Sequence, residues 1–322
     1  MPRCHFTLRP RGPFSMAPVR DMQCGFLRGA RTCNTDPWSA KLAFPRDGDF
    51  AVVGASIRHV ESSVQVELEG AAEPGRIRDQ VARTLGLDHD ASPFQQVLSR
   101  HPVLRTVAAA RPGFRPVVAP SPYVMGGWAV LSQRLRMDQA AALQVRMAER
   151  AGDVVQIAGE WLSSFPRPQS ILARSAFPGV PDEKWRRLVG LAEAALAGSL
   201  DVARLGAMSH ADARADLQRL RGVGPWTADA ILLRGCGPTD ELPLSEPTLH
   251  HAVRTAYGLG HTPSDREVER IAEAWKPFRT WVSVLLISHA WRSSPAGLRS
   301  PDMRRRGRTV HGTSGQVPDS PV

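Results

Sequence analysis

Cysteine, lysine and long apolar runs are scarce in this chain of 322 residues. Its four cysteines, Cys4, Cys24, Cys33 and Cys236, include no CxxC pair. That excludes a zinc site built on paired cysteines and a secreted disulfide framework, and isolated thiols in a reducing compartment are expected. Only three of the 41 basic side chains are lysines, Lys41, Lys184 and Lys276, which leaves few positions for an amine nucleophile. No uninterrupted apolar run reaches the roughly 20 residues of a membrane span. The opening MPRCHFTLRPRGPFS lacks the apolar core of a signal peptide. A cytoplasmic protein without a membrane partner is therefore expected.

What the chain does carry is positive charge, +10 in formal net terms. Five arginines and two aspartates after residue 292 account for +3 of it, and the remainder belongs to the folded part. Such a balance suits a polyanion. A hydrophobic fraction of 42% is ordinary for a globular protein, and the length suffices for two domains. Residues 5–10 and 64–68 alternate apolar and polar, as strands do. PGRIRDQVARTLGL puts Ile77, Val81 and Leu85 on one helical stripe, with Gly86 as its stop. Residues 1–112 thus predict a small domain with an antiparallel sheet and helices. The Pro-rich RPGFRPVVAPSPY marks the boundary, and residues 113–292 predict helices throughout, with Asp138 capping one of them and EKWRRLVGLAEAALAG forming another. The class is α+β, and residues 293–322, rich in Ser, Pro, Gly and Arg, predict a disordered basic tail. Its run MRRRGR, residues 303–308, is a mobile phosphate contact or merely solvated charge.

The most informative stretch is Leu220-Arg221-Gly222-Val223-Gly224-Pro225-Trp226-Thr227-Ala228-Asp229, lying between helical patterns. Two glycines around one apolar residue allow a turn with backbone angles that glycine reaches cheaply. The turn would expose N–H groups at the start of the next helix, where a phosphate oxygen can sit. Taken alone, a GxG of this kind is also what a plain turn between two helices looks like.

The longer segment LRGVGPWTADAILLRGCGPTDELPLSEPTL resembles the helix-hairpin-helix DNA glycosylase superfamily, in particular its 3-methyladenine DNA glycosylase II branch. FTLRPRGPFS, RPGFRPVVAPSPYVMGGWAVLSQ, FPRPQSIL and AEAWKPFRTWVSVLLI follow in family order, so the resemblance covers roughly residues 5–292. It implies a sheet-and-helix domain followed by an all-α helix-hairpin-helix domain, with a base pocket in the cleft. The implied activity is hydrolysis of the N-glycosidic bond of alkylated purines in duplex DNA after base flipping, by a monomer.

Family position implies site residues too. Counting six residues on from Asp240 reaches Glu246 where the family carries Asp, so the charge is kept with one extra methylene. Ser245 is expected to cap the next helix and to place Glu246 in its first turn. Without the resemblance, Glu246 is simply an acidic first-turn residue, and Asp240 and Glu241 are reserve candidates. Trp226 and Trp275 fall at base-pocket positions, with Trp128 and Trp281 as weaker candidates; core packing is the alternative for each. Gly222, Val223, Gly224 and Thr227 are expected to form the DNA-binding hairpin. Gln133, Arg134 and Leu135 form the expected wedge that fills the gap left by the flipped base, or else an ordinary helix surface.

Relatives that also cut the strand carry a lysine where this chain has Trp226, so hydrolysis without lyase chemistry is implied. No cofactor is required by this reading, and no C-terminal run of cysteines is present to hold an iron-sulfur cluster. The family's hairpin holds a monovalent cation through backbone carbonyls, which here are those of Gln218, Leu220 and Val223. Adjacent His250 and His251 diverge on a helix and make poor joint metal ligands. Two other functions remain open on sequence: a glycosylase for deaminated or oxidised bases, and a DNA-binding protein of the same fold without activity. A Glu246 carboxylate that lines an open cleft beside Trp226 favours an enzyme, and one pointing to bulk solvent favours a binding module.

Overall fold

The computed structural model describes residues 2–24, 36–71 and 73–293. Cys33, the expected tail from residue 294 and its basic run at 303–308 lie outside the described residues.

Four strands, β1 (Arg3–Leu8), β2 (Ser39–Pro45), β3 (Val52–Val60) and β4 (Ser63–Glu69), form an antiparallel sheet in the order β1-β4-β3-β2. The alternation of β1 and β4 sets their register, with Phe6 opposite Val66 and Leu8 opposite Val64, all four buried. β3 shows no such alternation because it is buried on both faces around Gly54. A hairpin of β5 (Val154–Ile157) and β6 (Glu160–Ser163) lies over it. A Cβ on Gly54 would stand 2.5 Å from Ile157 Cδ1, so only glycine admits that approach. The expectation of helices throughout the second segment is corrected here. Val155, Ile157 and Leu162 point inward while Trp161 points out, and Ala158 and Gly159, both at positive φ, make the tight turn between the strands.

The helices are α1 (Ala17–Cys24), α2 (Gly75–Thr84), α3 (Ser92–Arg100), α4 (Pro102–Ala109), α5 (Pro122–Leu131), α6 (Met137–Ala151), α7 (Pro168–Leu172), α8 (Asp182–Leu196), α9 (Val202–Gly206), α10 (His210–Leu217), α11 (Pro225–Ile231), α12 (Pro247–Tyr257), α13 (Asp265–Ala272) and α14 (Arg279–Ser293). α2 presents Ile77 and Val81 to the sheet, and Gly86 at φ 65° follows its end. α3 and α4 behave differently from the sequence reading. Phe94, Leu98 and Leu104 share a core with Leu249, Trp275 and Leu285 of the C-terminal helices rather than with the sheet. α6 starts two residues earlier than Asp138 suggests. Arg136 is its N-cap, and the Gln139 side chain accepts from the Arg136 N–H at 3.1 Å.

Every residue of α5 is buried, as expected of a helix that is apolar all round. It packs between α8 and α11, and its C-terminal end delivers residues 132–135 to the surface. Arg115, 1% exposed, fastens the N-terminal segment to this framework. Its guanidinium donates to the carbonyls of Arg11, Gly12, Pro13, Gly86 and His89. Burial pushes its pKa down to about 10, against the upward pull of Asp90 and Asp88.

Candidate active site

The hairpin joins α10 to α11. Val223 is buried and anchors the turn. Gly222 adopts φ +82°, which favours glycine, whereas Gly224 has φ −84° and ψ 179°, which any residue adopts. The expectation of special backbone angles therefore holds at the first glycine and not at the second. Nothing lies within 4 Å of a Cβ placed on Gly224, so its smallness is of use only to something that approaches from outside. Gly224 is the N-cap of α11 and supplies no side-chain cap. The first helical bond runs from Ala228 N to Gly224 O, 2.9 Å. The N–H groups of Trp226 and Thr227 precede it and have no acceptor within the helix. The Thr227 side chain is 4% exposed and belongs to the interior, which leaves its backbone N–H as the group it can offer a ligand.

α11 runs directly into a π-helical turn, Leu232–Cys236, and Gly237 at φ +79° ends it. Asp240 lies beyond that end, in the loop. Its carboxylate takes the Arg279 backbone N–H at 3.0 Å and Arg279 Nε at 2.9 Å, so it pins the loop to α14 and is committed there. Glu241 is tied to α14 through its backbone alone, its N–H donating to Thr280 Oγ1 and its carbonyl accepting from that hydroxyl, while its carboxylate lies 3.9 Å from His210 Nδ1.

Glu246 stands elsewhere, and its place corrects the expected cap. Pro247 occupies the first position of α12, where its missing N–H costs nothing, and this makes Glu246 itself the N-cap in place of Ser245. Glu246 Oε1 accepts from Thr248 N at 3.0 Å and Oε2 accepts from Trp226 Nε1 at 3.1 Å. Both oxygens are thus anchored, each with a lone pair to spare. Trp226 is 38% exposed, so an indole face and a carboxylate adjoin at the surface. Arg234 adds a positive charge nearby: burial lowers its pKa, and the Glu246 carboxylate pulls it back up.

A second set of residues holds this carboxylate in place, and the sequence reading missed it. Asp229, one turn after Trp226, is 7% exposed. It accepts the Ser245 hydroxyl at 2.5 Å and pairs with Arg214 Nε at 3.0 Å and His210 Nε2 at 3.5 Å. Burial alone would raise the Asp229 carboxyl, but hydrogen bonds from His210 and Ser245 and the charge of Arg214 hold it below the usual value. The clasp ties α10, α11 and the residue before Glu246 into one unit. An aspartate on the apolar side of a short helix was the available signal.

The other aromatic candidates are core residues. Trp275 is 0% exposed and its indole N–H donates to the Tyr257 hydroxyl at 3.0 Å. Trp128 and Trp281 are buried as well. The expectation that Trp275 lines an open pocket is corrected accordingly: α13 and a short 3-10 turn, Glu273–Trp275, tuck it against α12 and α14. In the expected wedge, Leu135 packs on the main core and Arg134 is the exposed side chain, at φ 58°. Gln133 Oε1 accepts from Arg187 Nη1 at 2.9 Å. His250 is engaged by Asp265 at 2.8 Å.

No protein-family model matches the chain. It is 27% identical over 211 residues to a DNA-3-methyladenine glycosylase of Bacillus subtilis, covering 64% of this chain and 68% of that protein. It is 30% identical over 192 residues to DNA-3-methyladenine glycosylase 2 of Escherichia coli, covering 58% and 63%. The matched segments thus span about two thirds of these relatives. The fold is that of a 3-methyladenine DNA-glycosylase from Archaeoglobus fulgidus, with TM-score 0.73 and 19% identity over 89% of this chain and 99% of that one. In sequence the chain is thus similar to DNA-3-methyladenine glycosylases, and in fold to a 3-methyladenine DNA-glycosylase.

Proposed function

We propose that the protein is a monofunctional DNA N-glycosylase that releases alkylated purines from duplex DNA, acting as a monomer. The observation that carries the proposal is the Trp226 indole joined to the Glu246 carboxylate at 3.1 Å on an open surface. A purine alkylated at N3 or N7 is cationic and already a good leaving group. Its C1′–N bond breaks with the electron pair going to the base, which departs neutral, and positive charge builds on the sugar. An aromatic face attracts the cationic base. A fixed carboxylate stabilises the sugar cation and orients the water that adds to C1′, whose proton then passes to the carboxylate or to solvent. The products are a free base and an abasic site.

The hairpin amides and surrounding arginines seat the phosphates, and Arg134 fills the vacated stack while Leu135 supports it from the core. A monovalent cation would use the carbonyls of Gln218, Leu220 and Val223. The Leu220 carbonyl accepts from Val223 N at 3.0 Å and keeps one lone pair for it. Trp226 stands where strand-cutting relatives have lysine, so no amine is offered to the sugar. The test is incubation with methylated duplex DNA followed by chromatography of the released bases. Free 3-methyladenine or 7-methylguanine is the expected product, and intact DNA after long incubation contradicts the proposal.

A further inference from the structure

Two surfaces that the proposed function sends to the DNA, the hairpin and the loop 132–135, are joined by the first two turns of α8. The Arg187 stem lies on Gly222, where an added Cβ would come within 2.4 Å of Arg187 Cδ. Its guanidinium reaches across to Gln133 Oε1 at 2.9 Å and back to Glu183 Oε1 at 3.2 Å. Glu183 Oε2 takes Arg221 of the hairpin at 3.1 Å. Lys184 Nζ donates to the carbonyls of Leu131 and Gln133 at 2.9 and 2.8 Å. Those bonds bracket the turn that places Arg134 at positive φ. Burial lowers the Lys184 pKa, with Arg134 and Arg187 adding to the shift.

We propose that Arg187 and Lys184 are positioning residues that couple hairpin and wedge, so that seating the hairpin on the backbone drives Arg134 into the base stack. The inference rests on the glycosylase reading above. Arg187 and Glu183 are half-exposed, and ion pairs of that kind contribute little to stability. The fold does not need the bridge, whereas a wedge that must enter at a fixed distance from the phosphate seat does. A rigid link matters most when the base must be pulled from a stacked pair, and least when the base is already unstacked.

The experiment uses Arg187→Met, which keeps a straight apolar stem over Gly222 and removes the guanidinium, and Lys184→Met, which frees the two carbonyls. Each full-length variant is compared with the parent in single-turnover release of 7-methylguanine from two duplexes. One pairs the lesion with cytosine, and the other places it opposite an abasic spacer. On the paired substrate each variant is expected to be slower by roughly tenfold, the scale of one missing charged hydrogen bond. Opposite the spacer the loss is expected to be less than about twofold, since little unstacking remains to be driven. Arg187→Lys, which can still reach Gln133, is expected to recover part of the loss. Equal losses on the two duplexes in both variants, as a general folding defect would produce, overturn the inference. So does full activity on both. Release of base from both duplexes by the parent protein shows that the glycosylase reading stands while the coupling is being judged; no release from either sinks that reading and the inference with it.

Discussion

The two hairpin glycines should fail in opposite ways when each is replaced by alanine. At Gly222 a side chain at φ +82° costs about 1–2 kcal/mol from the backbone alone. Its Cβ would also stand 2.4 Å from Arg187 Cδ, so Arg187 must leave Gln133 and Glu183, half-exposed partners whose bonds add up to about 1 kcal/mol. The expected total is about 2–3 kcal/mol. With about 2–4 °C of Tm per kcal/mol in a large single chain, Tm falls by roughly 4–12 °C. Gly224→Ala meets no atom within 4 Å and no unusual φ. The entropic gain of alanine, about 0.4–1 kcal/mol, is offset by its poorer capping, so Tm should barely move. Its methyl group, however, fills the space a phosphate oxygen must enter. Without one charged hydrogen bond of about 1.5–3 kcal/mol, DNA binding weakens roughly ten- to hundredfold. The log–log salt slope then drops by about 0.9 for each phosphate that the protein no longer neutralises. Differential scanning calorimetry and a fluorescence-anisotropy titration over several salt concentrations measure both effects. Duplex affinity of Gly224→Ala equal to that of the parent at every salt concentration would refute the phosphate seat.

Arg115→Met should destabilise by about 2–3 kcal/mol in urea unfolding, because five carbonyls lose a donor, that of Gly86 in a buried bond and the others in part-buried ones; a change below about 1 kcal/mol would show that water replaces it freely. The clasp around Asp229 has a pH signature. A carboxyl held low in the folded state contributes stability that is present above its unfolded pKa, near 4, and is lost as pH falls through the folded value. Asp229→Asn should therefore flatten the acid limb of the stability curve below about pH 4, and an unchanged limb would remove the clasp from consideration. Borohydride reduction during turnover should trap no covalent protein–DNA adduct, since Lys184 Nζ is occupied by two carbonyls at 2.9 and 2.8 Å and Trp226 holds the family's lysine position; a strong trapped band would reveal another amine at the sugar.

Much of this was legible in the residues themselves. Alternation gave β1 and β4, and the periodic stripe gave α2, because each buries one face only. β3 and the β5–β6 hairpin were hidden for the opposite reason: each covers the other, and Gly54 removes the side chain that would mark the period. The hairpin was legible as two glycines and a proline, but which glycine needs positive φ depends on the path of the chain into α11. Counting from Asp240 reaches Glu246, whereas its role as the N-cap follows from Pro247, whose ring fits the first helical position. Trp226 and Trp275 are alike as letters. One is exposed beside a carboxylate and the other fills a core between three helices, a distinction set by tertiary packing. The Asp229–Ser245 and Arg187–Gln133 bonds join residues 16 and 54 positions apart, beyond the reach of any local pattern.

The central claim is that the Glu246 carboxylate faces the sugar, and one substitution tests it most directly. Glutamine keeps the shape and removes the charge, although its single carbonyl can accept from Trp226 or Thr248 but not from both. Glu246→Asp is the companion. It keeps the charge and the capping bond but draws the carboxylate back from Trp226 by about one ångström, a displacement that can slow a reaction roughly a hundredfold. The measurement is single-turnover release of 7-methylguanine by Glu246→Gln, set beside its affinity for a duplex with an abasic-site mimic. Release slower by about a hundredfold or more, with affinity unchanged, is the expected result; release at the parent rate would contradict it and remove Glu246 from the chemistry.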